Sequence, residues 1–369
     1  MNLLFELNHP AHGHLFKNTI RQLIANGHDT TVLIKDIPVL KAILDDAGIK
    51  YLVLGSKGKS ITGKLLKQVG FVFRTYNLHR QKRFDAGIGI SVTLPLLSRI
   101  SAMPVIVCDD DDKKATPYFA SLAHTNAAAL LRPQALSHEG NSKNTIYYDG
   151  YHELAYLHPV VFTPDASVLK EQGIQSGETF FIVRLVSLKA HHDKGIKGID
   201  REQMHTLAKT LKPHGRIILT HEAGGEQIPG TEPLRIHPAR LHHLMAYAKM
   251  IISDGQTMCS EAACLGVPSV RINDFVGRIS YLQEQEEKWK LTYGFKPTAF
   301  DEAVKKIGFI LIENNEIYQH RRNMMLASFI NVSGFLTWFI ENWPSSLHTM
   351  KQNPEYQFNF WEVGGSSRE

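Results

Sequence analysis

Short apolar runs alternate with helix-length segments along almost the whole chain. "NLLFELN" is the first run and ends in a His/Gly/Pro-rich loop, after which an amphipathic stretch extends from about Leu15 to Ala25. "TTVLIKD" marks a second strand, and "PVLKAILDDAG" a helix closed by glycine. "KYLVLG", "DAGIGI", "MPVIVCD" and "TIYYDG" continue the rhythm. Strands this short and uniformly apolar, separated by crossovers long enough for a helix, predict a parallel sheet covered on both faces. Near Thr163 the pattern breaks at "FTPDASVLKEQGIQSGE", then restarts with "TFFIVRLVS", "GRIILT", "KMIISDG" and "VPSVRIND". Two doubly wound α/β domains are therefore expected, over residues 1–160 and 161–340, with a tail over 341–369. The helical signal of "EIYQHRRNMMLASFINVSGFLTWFIENW" begins near Glu316.

Composition narrows the class. Of the 369 residues, 43% are hydrophobic and 21% charged, with 27 Gly and 16 Pro, which excludes a disordered tail, a collagen and a coiled coil. No run approaches the roughly twenty apolar residues of a spanning helix. The opening "MNLLFELNHPAHGH" lacks a basic n-region and reads as a strand instead of a signal peptide. Cys108, Cys259 and Cys264 make neither a CxxC pair nor an even set, so a reducing cytoplasm is the expected setting. The net charge of +5 is unevenly placed: residues 1–160 carry 18 Lys+Arg against 13 Asp+Glu, and residues 161–369 carry 23 of each. Between Asp46 and Asp85 nine Lys/Arg follow one another without an acidic residue.

In doubly wound sheets ligands bind beyond the carboxyl ends of the strands, so the loops after strands are where chemistry is expected. "MIISDGQTMCSEAACLGVPSVRIND" is the most informative of these. A strand ends at Ser253-Asp254-Gly255 and a helix begins near Gln256-Thr257, whose free N–H groups and dipole suit a diphosphate. Glu261, about a turn and a half in, is placed to accept from ribose hydroxyls, unless it is a solvated side chain and Ser253-Asp254 merely cap the helix.

This segment resembles known proteins. "SDGQTMCSEAACLGVPSV" aligns without gaps on the "TDSGGxQEEAPSLGKPVL" pattern of non-hydrolysing UDP-N-acetylglucosamine 2-epimerases, and the same region of GT-B glycosyltransferases has a similar layout. "DGYHELAYLHP" falls where those epimerases have their hinge segment, and "RINDFVGR" parallels "LRDTTER". The openings "NHPAHGHLFKN" and "DGYHELAYLHP" look like a prokaryotic family called domain of unknown function 354, of the GT-B superfamily, over nearly the whole chain. The resemblance implies a GT-B-like α/β fold: two Rossmann-like domains, an acceptor domain and a nucleotide-sugar-binding domain, with a cleft between them and a helical C-terminal tail. It also implies that Glu261 holds the nucleotide ribose and that Asp254, Gly255, Gln256, Thr257 and Arg278 belong to the nucleotide site. Departures from the epimerase pattern are Gln256-Thr257 for Gly-Gly, Ser260-Glu261 for Glu-Glu, and Gly277 for the glutamate before the arginine.

Other strand-end residues complete the candidate chemistry. Arg184 ends the strand "TFFIVRLVS", where a guanidinium can bind a phosphate in bidentate fashion, and the following loop offers His191, His192 and Asp193. In "LTHEAGG", His221 and Glu222 are candidate contacts to the base or ribose, as is His237 before a helix. His9, His12 and His14 follow the first strand, and His12 or His14 can take a proton from a sugar hydroxyl; a metal needs a convergence that a tight loop does not guarantee. Asp109 to Asp112 crowd four carboxylates at one strand end, either a solvated acidic loop or a place where a pKa is raised for acid–base work. By resemblance Asp110 falls near the epimerase glutamate of "HVEAGLR". Gly87, Gly89 and Ser91 form another strand-to-helix turn, and His152 and Glu153 lie at the expected hinge, without the i, i+4 histidine spacing of a zincin.

The stretch 57–83 interleaves Lys57, Lys59, Lys64, Lys67, Arg74, Arg80, Lys82 and Arg83 with apolar residues. It is either a solvated helix packed by its apolar stripe, a peripheral contact with the inner face of the membrane, or a grip for a phosphorylated acceptor. Nucleic acid binding is not expected, because no matching motif accompanies the charge. The expected activity is transfer of a sugar from a nucleotide diphosphate sugar, UDP-linked, to a glycan or lipid-linked acceptor in surface polysaccharide biosynthesis, with no metal and no cofactor beyond the donor. A UDP-N-acetylglucosamine 2-epimerase-like enzyme and an inactive nucleotide-sugar-binding protein are the alternatives.

Overall fold

In the computed structural model, residues 1–56, 61–186, 197–221 and 228–361 are described. They form two units: Met1–Val161 with Phe329–Glu369, and Phe162–Ser328. The sequence pattern predicts boundaries at 160 and 340; the structure instead returns the chain to the first unit at Phe329.

The first unit runs β1 (Asn2–Leu7), α1 (Pro10–Ala25), β2 (Asp29–Lys35), α2 (Pro38–Asp46), β3 (Leu52–Gly55), α3 (Ile61–Lys82) and β4 (Ala86–Gly89). It continues through α4 (Thr93–Ser101), β5 (Val105–Cys108), α5 (Pro117–Ala123), β6 (Ala129–Pro133), β7 (Thr145–Tyr148) and α6 (Leu154–Leu157). All seven strands are parallel, in the order β3-β2-β1-β4-β5-β6-β7. Their near-continuous apolar character follows from burial on both faces. Under α3 and α4 the core gathers Leu4, Leu33, Leu54, Phe71, Phe84 and Leu97.

The second unit runs α7 (Ser167–Gln172), β8 (Phe180–Leu185), α8 (Arg201–Leu211), β9 (Arg216–His221), β10 (Glu232–Pro233), α9 (Leu241–Met245) and β11 (Met250–Ser253). It then adds α10 (Thr257–Leu265), β12 (Ser269–Ile272), α11 (Ser280–Glu287), β13 (Thr292–Phe295), α12 (Phe300–Ile312) and α13 (Glu316–Leu326). Its six parallel strands are ordered β10-β9-β8-β11-β12-β13. Helix α8 begins with a reciprocal cap, Asp200 accepting from Gln203 N–H while the Gln203 side chain accepts from Asp200 N–H.

Back in the first unit, α14 (Val332–Glu341) and α15 (Ser345–Gln352) complete the helical C-terminal region. Helix α14 packs on α1 and α6. Its buried Phe335 lies 5.7 Å from the Tyr148 ring, and Glu341 meets His28 at 3.1 Å. The chain thus forms two Rossmann-like parallel-sheet domains with a helical C-terminal region, as the pattern and the resemblance predict.

Candidate functional site

In the first unit the strand order reverses direction between β1 and β4, so the loops after these strands diverge and leave room for a ligand. The loop after β1 is short because Pro10 opens α1 with its ring-fixed φ, and the His9 side chain caps the helix by accepting from Ala11 N–H. His12, one turn in, is half-buried, and its Nδ1 accepts the Asn8 N–H at 3.2 Å. Burial, together with the cationic forms of His9, His152 and Lys35, holds His12 well below the ordinary imidazole range against the pull of Asp110. His14 projects from another side of α1, where it is buried with its ring stacked on Tyr156 at 5.2 Å.

Beside this loop, Glu6 is fully buried near the carboxyl end of β1. Its carboxylate accepts from Ser91 Oγ at 2.9 Å, Thr93 Oγ1 at 2.7 Å and Asn8 Nδ2 at 3.1 Å. The network ties the two diverging loops together. Gly89 permits it: a Cβ there would lie 2.6 Å from the Glu6 carbonyl oxygen.

The four aspartates after β5 divide their work. Asp109 is buried and accepts from His124 Nε2 at 2.6 Å, with Arg132 3.7 Å away. Arg132, fully buried on β6, also pairs with Glu139 at 2.6 Å. These charges hold the loop. Asp110 faces elsewhere: its Oδ2 lies 3.2 Å from Nδ1 of His152, in the turn before α6. Burial opposes ionisation of Asp110, but His152 and then His12 bring it below the usual carboxylate range. Asp111 is pushed well above that range by burial and by the charges of Asp110 and Asp109. Neighbouring carboxyls with pKa values driven apart are suited to separate acid and base roles. Asp112, His138 and Glu139 offer donor atoms within 4.8 Å of one another, but Glu139 already accepts from Arg132 and from Lys113 N–H, so this cluster is an ion-paired loop end.

In the second unit the order reverses between β8 and β11. Arg184, beside Ser253 and Thr220 in the sheet register, is half-buried and donates from Nη1 to Thr220 Oγ1 at 2.9 Å. Asp254 is buried and spans the reversal: Oδ1 accepts Val186 N–H at 2.7 Å, and the backbone of Ile199 also bonds to this carboxyl. Burial pushes Asp254 up to about 6, against those backbone bonds and the nearby Arg184. Gly255 sits close against Val186, whose Cγ1 would lie 2.8 Å from an added Cβ. Gln256 stands at the N-cap of α10 without a side-chain bond to the first turn, so the N–H groups at Thr257 and Met258 mark a positive helix end.

Glu261, expected at a ribose, is buried in α10 and pairs with His242 Nε2 of α9 at 2.9 Å. Arg278 is exposed, its guanidinium 5.9 Å from the Phe275 ring centre. His237 caps a short 3₁₀ turn by accepting from Ala239 N–H. His191 and Glu222 lie outside the described residues. The structure thus gathers His12, Asp110 and His152 in the first unit. In the second it gathers Arg184, Asp254, Gly255 and the start of α10, while His14 and Glu261 are engaged with packing partners. Glu6, Arg132, Thr220 and His242 are added to the sequence reading; for Glu6 and Arg132 the signal was a lone charge inside the apolar runs "NLLFEL" and "ALLRP".

A family model described as a protein of unknown function (DUF354) matches residues 1–286, and the chain belongs to this family. Comparison with curated protein sequences returned no match. Among solved structures, the UDP-GlcNAc 2-epimerase from Neisseria meningitidis bound to UDP-GlcNAc is similar, with 13% identity, 95% of this chain and 100% of that chain covered, and a TM-score of 0.65. The S. aureus MnaA–UDP structure shares 12% identity over 100% of both chains, with a TM-score of 0.64. The kitacinnamycin glycotransferase shares 15% over 94% of this chain and 99% of that chain, with a TM-score of 0.63. At these identities the similarity establishes the GT-B-like fold.

Proposed function

We propose that the protein is a GT-B-type glycosyltransferase that moves a sugar from a nucleotide diphosphate sugar, UDP-linked, to a glycan or lipid-linked acceptor in surface polysaccharide biosynthesis. The observation that carries this reading is the strand reversal of the second unit. There a phosphate-binding guanidinium (Arg184) stands on the strand paired with β11, whose end leads through Gly255 into the uncapped start of α10. Such a place neutralises a diphosphate leaving group through a cation and backbone N–H groups, without requiring a metal. That similar folds are described with UDP-GlcNAc and with UDP bound supports the choice of nucleotide. In this reading the acceptor side belongs to the first unit, where His12, Asp110 and His152 lie together.

A lipid-linked acceptor would bring the protein to the inner face of the membrane. Helix α3 offers a surface for this: Val69 and Phe73 are 58% and 63% exposed, with Arg80 and Arg83 exposed beyond them, while Lys82 donates from Nζ to Thr31 Oγ1 at 2.9 Å. Lys67 and Arg74 instead donate to the carbonyls of Ser56 and Leu54. No helix among the described residues is long and apolar enough to cross a membrane.

The second reading, 2-epimerisation, is favoured by the opposed pKa shifts of Asp110 and Asp111, since elimination and re-addition need both an acid and a base. Incubation with UDP-N-acetylglucosamine in heavy water, without acceptor, separates the two. A transferase binds UDP and leaves the sugar unlabelled. Deuterium at C2 with appearance of the manno epimer would establish the epimerase instead. Absence of UDP binding by calorimetry would overturn both.

A further inference from the structure

The hydrogen bonds of the first unit fix two histidine rings in opposite tautomers. A backbone N–H only donates, so Nδ1 of His12, at 3.2 Å from Asn8 N, presents its lone pair; the neutral ring then carries its proton on Nε2. An ionised carboxylate only accepts, so Nδ1 of His152, at 3.2 Å from Asp110 Oδ2, carries a proton. A neutral His12 of this kind offers a donor at its free end and has no lone pair left to receive a substrate proton.

Burial separates the other two groups. The Asp110 side chain is 23% exposed, whereas that of His152 is 8% exposed. The far nitrogen of His152, Nε2, is buried with no hydrogen-bond partner, and its ring lies nearly parallel to Tyr148. His152 therefore stands behind Asp110, and Asp110 is the member able to meet a substrate. We propose that Asp110 is the proton acceptor of this site, that His152 is its positioning residue, and that His12 serves as a neutral hydrogen-bond donor through Nε2–H.

This assignment rests on the transferase reading for its chemical step. The Asp110 carboxylate takes the proton of the acceptor hydroxyl, and the freed oxygen pair forms the bond to the anomeric carbon. The bond from that carbon to the diphosphate oxygen breaks, its electron pair leaving with the nucleotide, and Asp110 later returns the proton to solvent. Charges around the rings agree with these roles. His9, His152 and Lys35 disfavour an imidazolium at His12, with Asp110 opposing them, whereas Asp110, Glu153 and Asp109 overcome burial to favour one at His152.

The test is a long-range 1H–15N spectrum of the full chain labelled with 15N-histidine, titrated with acid and without nucleotide. His12→Gln and His152→Asn serve to assign the two rings. The expected result is an Nε2–H tautomer for His12 that charges well below the ordinary imidazole range, and a protonated Nδ1 for His152. In Asp110→Asn the His152 titration moves to lower pH. A proton on Nδ1 of His12 in the neutral range overturns the proposal, as does a His152 titration that Asp110→Asn leaves in place. Should that variant not fold, the tautomers of the unmodified chain decide the matter. Because no nucleotide is present, this outcome is independent of the UDP-binding result.

Discussion

Asp254 Oδ1 and the Val186 N–H, 2.7 Å apart, join the ends of β8 and β11 where the strand order of the second unit reverses. The same carboxyl also bonds to the backbone of Ile199, so it holds the chain on both sides of residues 187–196. Its role is therefore mechanical as well as electrostatic, and under the proposed function the nucleotide contacts at this edge fall to Arg184 and the α10 terminus.

A pH dependence follows. The folded pKa of Asp254, about 6, lies above the ordinary carboxyl value of 3.8, so the neutral form is favoured by folding and the contribution fades as pH rises through about 6. Asp254→Asn keeps the acceptor for Val186 while removing the buried charge. Its stability relative to the unmodified chain should improve by about 2 kcal/mol between pH 4.5 and pH 8. Denaturant melts at both pH values measure this, and an equal difference at the two values refutes it.

Arg184→Ala should weaken UDP binding about 10- to 100-fold, the usual scale for a charge-assisted bond to phosphate. Thr220→Val, which removes the hydroxyl that orients the guanidinium, should cost less. Calorimetric titration with UDP compares the two. Equal affinity for Arg184→Ala and the unmodified chain would remove Arg184 from the site.

The buried Glu261–His242 pair gives a stability prediction. Removing the carboxylate takes away the acceptor that meets His242 Nε2, so Glu261→Ala should destabilise the fold by about 1–3 kcal/mol, and Glu261→Gln by less because an acceptor for His242 remains. Urea unfolding reads this directly. A loss of UDP affinity without loss of stability would support the ribose-binding role that the resemblance implies for Glu261.

Phe73→Ser combined with Arg80→Glu should reduce binding to vesicles containing phosphatidylglycerol by about tenfold, with little binding of either form to phosphatidylcholine alone. Co-sedimentation at low and high salt measures it. Undiminished binding by the double variant would assign α3 to ordinary solvated surface.

Much of the architecture was legible because buried parallel strands write themselves as uninterrupted apolar runs. Strand β6 was not: Ala129, Leu130 and Leu131 are good helix formers, and their extended state comes from pairing with β5 and β7. The return of Phe329 to the first unit also escaped, since the apolar face of α14 states that it is buried but not against which helix. At the candidate sites, strand ends pointed to Asp110, Arg184 and Asp254, because the loops after parallel strands are where ligands are expected. His12 and His14 looked equivalent along the chain; the turn of α1 between them sends one ring towards Asp110 and the other onto Tyr156. Likewise, four successive aspartates carry no label saying that Asp109 answers Arg132 and His124 while Asp110 answers His152.

The return of the chain after Ser328 also sets an order of events during synthesis. Residues 1–161 emerge from the ribosome long before the segment that supplies α14, whose Phe335 packs against Tyr148 and whose Glu341 meets His28. The second unit is continuous in sequence and can finish while translation proceeds. The first cannot close until Phe329 and beyond have been made, so the nascent amino-terminal sheet must wait with one flank uncovered. A nonsense codon just after Ser328 would leave the later-made unit intact and the earlier-made one incomplete.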